Sequence, residues 1–136
     1  VANSTVDDGP AASSGRGPTR DNRNKPDIAA PGEFIFSANA GAGQGAPGTP
    51  ARRAMSGTSM AAPHVTGVVA RLLSRQNYLF AHEIRDILAE TARRASGQGQ
   101  PASWDRELGH GIVDAAAAVK KLEDLIAAAA FRRKRR

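Results

Sequence analysis

The sequence predicts the tail end of an α/β domain, and three observations carry that reading. A short strand-like segment, Pro26-Asp27-Ile28-Ala29-Ala30-Pro31-Gly32, lies between two prolines. Three later stretches repeat apolar residues at helical spacing. One or two short strands do not cover three apolar stripes, and loops this long do not let the stripes cover one another as a bundle. The sheet against which the helices pack is therefore expected to come largely from outside these residues.

Taken in order, Val1 to Lys25 is rich in Ser, Gly, Asp, Asn and Pro without periodicity and reads as connecting loops. The strand between prolines follows, then a second apolar touch at Phe34-Ile35-Phe36. Residues 37–54, SANAGAGQGAPGTPARRA, combine small residues with Gly and Pro and read as a surface loop. Val65, Val68, Val69, Leu72 and Leu73 then fall at i, i+3, i+4, i+7 and i+8, the stripe of an amphipathic helix. Ile84, Ile87, Leu88 and Thr91 repeat the pattern in a second helix, closed by Arg93, Arg94 and Gly97. A polar loop runs to Gly111. Ile112 and Val113 precede Asp114, a good N-cap, and an Ala-rich third helix whose Val119, Leu122, Leu125 and Ile126 share a face.

The 136 residues amount to one domain at most, and 40% apolar content is enough for a core. No apolar run reaches the roughly 18 residues that span a bilayer, so no membrane partner is expected. No signal-peptide pattern opens the chain, but it begins at Val1 rather than Met, so that absence decides nothing. With no cysteine, disulfides, thiolate metal sites and thiol catalysis are excluded, and any nucleophile is an oxygen or an amine. The net charge of +6 owes much to Arg132-Arg133-Lys134-Arg135-Arg136, and aromatics are only 4% of the chain. There is no stacking platform for single strands. Residues 131–136 read as a solvated basic tail rather than a nucleic-acid site, the latter requiring salt-sensitive binding that is lost when 132–136 are removed.

One stretch concentrates chemistry: Met55-Ser56-Gly57-Thr58-Ser59-Met60-Ala61-Ala62-Pro63-His64-Val65-Thr66-Gly67. Read locally, Ser59 is either a helix cap or a nucleophile. A Ser or Thr oxygen caps the free N–H groups of a first turn. Pro63, however, cannot donate the i to i−4 bond to the Ser59 carbonyl, and a serine at the positive end of a long helix suits a developing oxyanion.

From Gly57 to Gly67 the stretch resembles the serine motif of the subtilisin-like serine proteases, the subtilases. The resemblance extends through Ser13-Ser14-Gly15-Arg16-Gly17-Pro18-Thr19, where Gly15 stands as an insertion in the usual Ser-Arg-Gly-Pro form, through Lys25 to Gly32, and through Gly109-His110-Gly111-Ile112-Val113-Asp114-Ala115. It implies the C-terminal part of a three-layer α/β domain with a parallel sheet, over residues 1–130. It further implies Ser59 as the nucleophile of a serine endopeptidase that forms an acyl-enzyme, and Thr58 as a neighbour that helps hold the oxyanion. A protein or peptide substrate and a secreted or envelope location follow from the family. Calcium is allowed in the complete enzyme, though no acidic loop here has ligand spacing, and no other cofactor is expected in the chain.

The triad's other members are not expected within these residues. Family order is Asp, His, then Ser, which puts both partners in a missing N-terminal part of the catalytic domain. His64 stands five positions after Ser59, turned by roughly 140° and displaced by about 7.5 Å along a helix, so a packing or hydrogen-bonding role is expected. His82 and His110 lie outside the family's histidine motif, Asp27 matches a position that is not the triad acid, and Asn3 does not follow the Gly that precedes the family's oxyanion Asn. A serine without its base is a weak nucleophile, and in subtilisin losing the histidine alone costs on the order of 10⁶ in turnover. The chain alone is therefore expected to be inactive and, with apolar faces uncovered, loose or aggregating. The alternative is a non-catalytic subtilase relic or interaction module.

Overall fold

The computed structural model describes residues 1–40, 50–94 and 103–133. Its elements are β1 (Ala2–Ser4), β2 (Ala29–Pro31), β3 (Ile35–Ala38), β4 (Arg52–Met55), α1 (Thr58–Arg75), α2 (Ala81–Thr91) and α3 (Ala115–Arg133). The mixed α/β class and the three helices match the reading from sequence. β1 and β2 pair in parallel, with Ala2 opposite Ala29 and Ser4 opposite Pro31. Parallel strands cannot be joined by a tight turn, which is why a long connection, residues 5–28, separates them. On its other side β2 is extended by single bridges: the Ala29 N–H donates to Gly111 O at 2.8 Å, and the Val113 N–H donates to Ala29 O at 2.9 Å. Ile112 in turn exchanges hydrogen bonds with Arg93.

The helices pack where the stripes point. Val68, Leu72, Ile87, Leu88, Ala118 and Leu122 bury together with Ile28, and a smaller cluster of Ala2, Ala29, Leu108 and Ile112 fills the sheet side. α1 lies on β1 and β2, and α3 packs against both α1 and α2. Asp114 caps α3 as expected: its carboxylate accepts the Ala117 N–H at 2.9 Å. α2 opens with the Glu83 carboxylate accepting the N–H of its N-cap residue Phe80 at 2.8 Å, which satisfies a donor at the helix start. Asp8, in the turn after β1, pairs with Arg93 after α2, and that bond raises the guanidinium further above its ordinary value.

Two segments depart from the sequence reading. The first 25 residues contain a strand, β1, rather than loops alone. Ala-Asn-Ser has neither β-branched residues nor alternation to announce it, because all three positions are buried and the strand is held by pairing with β2. β3 and β4 form an antiparallel pair with Ile35 opposite Met55, and their strands take in both ends of residues 37–54, where a surface loop was expected. Every residue of β4 is exposed, so no period-2 pattern marks it. The centre of that loop, residues 41–49, and Gly97, expected to close α2, lie outside the described residues.

Large apolar side chains remain uncovered around this frame: Val6 is 91% exposed, Phe34 76%, Phe36 71% and Tyr78 80%. Among the described residues no helix is long and apolar enough to cross a membrane. With so few strands to bury its helices, the 136-residue chain made alone is expected to melt over a broad range and to bind a hydrophobic dye before heating. A single sharp calorimetric transition without dye binding would contradict that.

Candidate active site

The turn that leads into α1 is assembled from backbone. The Gly57 N–H donates to Gly32 O at 2.8 Å, and the Gly32 N–H donates to Ser4 O at 3.3 Å. The start of α1 is thus tied to the end of β2, and β2 to β1. Gly57 occupies the N-cap position with φ 148°, a conformation open to glycine and strained for other residues, and no side chain caps the helix. Ser59 is therefore the second residue inside α1 and not its cap.

Gly32 has no space for a side chain. A Cβ there would lie 2.3 Å from Asn3 Oδ1 and 2.6 Å from Gly57 O. Asn3 is fully buried, its Nδ2 reaching Ser13 Oγ at 3.4 Å and its backbone N–H donating to Ser14 Oγ at 3.0 Å. Its Oδ1 accepts nothing among the described residues. The amide is thus packed against Gly32, with its Nδ2 turned to Ser13.

Ser59 itself is exposed. The Met60 and Ala61 N–H groups both donate to Gly57 O, at 2.9 and 3.2 Å. Those of Thr58 and Ser59 have no acceptor among the described residues, as expected for a first turn. Two unsatisfied donors and the positive helix end therefore lie beside the hydroxyl. Pro63 sits inside α1 without a hydrogen to give the Ser59 carbonyl. Thr58, the predicted oxyanion neighbour, is half-buried at the first helical position, adjacent to Ser59 in the chain.

A concavity of about 310 Å³ opens beside Ser59, walled by Ile35 and Phe36 of β3 and by Met60, Pro63 and His64 of α1. The β3 wall was not identified from sequence, where Phe34-Ile35-Phe36 registered only as an apolar touch. Ser56 fixes it, because its Oγ accepts the Phe34 N–H at 2.9 Å and so pins the base of the hairpin to the serine turn.

The three histidines do not assemble a relay with Ser59. His64 borders the same concavity, but its Nδ1 donates to the carbonyl of Met60, one turn back, at 2.9 Å. That is the hydrogen-bonding role expected of it. His82 stacks on Phe80 with ring centres 5.8 Å apart. The His110 backbone N–H donates to Asp27 O at 2.9 Å, and the Asp27 carboxylate is taken by Lys25 Nζ at 2.6 and 2.7 Å. Among the described residues no three His, Asp or Glu side chains gather into a group. A larger concavity, about 400 Å³, lies away from Ser59, between α2 and α3.

The crowding at Gly32 gives a direct test. Gly32→Ala in the full-length protein must push either Asn3 or the Gly57 turn aside, and is expected to cost about 1–3 kcal/mol in denaturant unfolding. Ser37→Ala, on the exposed face of β3, is expected to change stability by less than about 0.5 kcal/mol.

A sequence model of the subtilase family matches residues 1–111. Over 96 residues, 68% of this chain, the sequence is 45% identical to an extracellular basic protease of Dichelobacter nodosus, of which it covers 15%. It is 37% identical over 80% of its length to bacillopeptidase F of Bacillus subtilis, covering 7% of that protein. Among solved structures it is similar to the CspB protease of Clostridium perfringens, with a TM-score of 0.66 and 34% identity over 84% of this chain and 23% of that one. The chain thus spans less than a quarter of each of these relatives. With its serine turn, its parallel strand pair and this match over most of its length, the chain belongs to the subtilase family.

Proposed function

We propose that these residues are the serine-bearing portion of a subtilisin-type serine endopeptidase, with Ser59 as the nucleophile. The observation that carries the reading is an exposed Ser59 beside two backbone N–H groups that have no acceptor, at the positive end of an 18-residue helix. In the reaction, Ser59 Oγ attacks the carbonyl carbon of the scissile peptide and its proton passes to a base. The carbonyl oxygen takes the negative charge and lies toward the Ser59 N–H, with Thr58 beside it. Collapse of that intermediate expels the amine, which takes a proton from the same base, and leaves an ester on Ser59. Water then attacks the ester and frees the serine.

The base and the acid that orients it are assigned to chain outside these residues, since His64, His82 and His110 are all engaged elsewhere or remote in sequence motif. The substrate is a protein or peptide in extended form. A location outside the cell is supported by the description of the Dichelobacter nodosus relative as extracellular.

A fluorophosphonate probe that reacts only with activated serines tests the proposal. Labelling is expected in the full-length protein and absent both in the 136 residues alone and in full-length Ser59→Ala. A folded full-length protein that takes no label would establish the non-catalytic relic instead, with its serine inherited but unactivated.

A further inference from the structure

The β3–β4 pair carries a positive charge that nothing among the described residues answers. Arg53 of β4 is exposed, and its side chain has neither an ion pair nor a hydrogen bond among them. It stands opposite Ser37 of β3, while Met55, two residues on, stands opposite Ile35. Directly opposed residues of an antiparallel pair share a face, so Ile35, Ser37, Arg53 and Met55 lie on one side of the ribbon. Ile35 and Ser37 both wall the 310 Å³ concavity beside Ser59. Arg53 therefore stands at its rim, about 7 Å along the strand from Met55. Arg52 offers a contrast within the same strand. Its partner is Ala38, which does not line the concavity, and alternation turns it to the other side of the ribbon.

The surroundings of the concavity carry one sign of charge. None of its walls is acidic. The start of α1, with its free N–H groups, adds the positive end of a helix dipole. Between Asp27 and Glu83 the sequence has a single acid, Glu33, and it precedes β3 at the end away from Ser37. A recess with positive surroundings concentrates negative charge, and an unpaired guanidinium at its rim takes a carboxylate in a two-pronged hydrogen bond.

We propose that Arg53 selects the substrate by charge. A peptide lying in the concavity along β3 presents an Asp or Glu side chain to the guanidinium, and a Lys or Arg at that position is disfavoured. The substrate class is thus a polypeptide with a carboxylate within a few residues of the bond held at Ser59. The inference rests on Ser59 marking the place of the substrate, but its test does not need Ser59 to react.

Full-length Ser59→Ala is titrated at low salt, by fluorescence anisotropy, with short alanine-based peptides carrying one Glu or one Lys at each position in turn. At one position the Glu peptide is expected to bind about fivefold tighter than its Lys counterpart, as is ordinary for an exposed charge pair, and to lose most of that margin at high salt. Adding Arg53→Glu is expected to reverse the order at that position by about threefold, and Arg53→Gln to abolish it. Arg52→Glu, the same change of charge on the other face, is expected to leave the preference within about twofold. Both arginines are exposed, so thermal unfolding of the full-length protein is expected to be unchanged by either replacement. The inference is overturned if no peptide binds, if binding ignores charge, or if Arg52→Glu acts as strongly as Arg53→Glu, which would assign the preference to the field of the whole protein. Fluorophosphonate labelling of the wild-type full-length protein reports separately on the reading of Ser59. No label with Arg53-dependent binding of acidic peptides retains this inference and removes the catalytic one, and labelling without charge preference does the reverse.

Discussion

The position of Ser59 depends on the hydrogen bond from the Gly57 N–H to Gly32 O, 2.8 Å long, and on the absence of side chains at both ends of it. Gly32 closes β2 and Gly57 precedes α1, so this bond places a helix start against a strand end with no side chain between them. The consequence is geometric. The start of α1 is tied to the sheet, and the serine stands at the second helical position beside the N–H groups that the first turn leaves free. Asn3 on β1 fills the space beneath, and its unpartnered Oδ1 is the cost of packing an amide where the approach is tightest.

The same frame bears on the proposed role of the serine, for which no side-chain base is hydrogen-bonded to Ser59 among the described residues. A hydroxyl near neutral pH needs a base within hydrogen-bond reach. The nearest histidine in sequence, His64, is on the same helix and donates to the Met60 carbonyl, a bond that helix geometry offers to a residue four positions on. In the proposed reaction these residues supply the electrostatic half, the backbone donors and the helix end. The proton-transfer half is assigned elsewhere, so family membership and activity of these residues are separate statements.

The three helices and the turn that carries Ser59 were legible in the sequence, for different reasons. Val68 and Leu72 are buried where the 3.6-residue spacing placed them, and Asp114 caps the helix it precedes, because these signals are local. Ser59 is singled out as a candidate by a long motif whose glycines and proline have backbone consequences. β1 was not legible, since Ala-Asn-Ser has no strand pattern and exists as a strand only through β2, far along the chain. β4, Arg52–Met55, is exposed throughout and so writes no alternation. The crowding at Gly32 and the Phe36 wall of the concavity were missed for the same cause: each arises where segments distant in sequence converge.

The central claim, that the general base lies outside these residues, is tested most directly by the pH dependence of peptide hydrolysis in the full-length protein with His64, His82 and His110 all replaced by Gln. The account predicts that kcat/KM keeps its acidic limb near the ordinary histidine range and falls by less than about tenfold. Disappearance of that limb, with a loss of about 10³-fold or more, would contradict the account by placing the base within this chain.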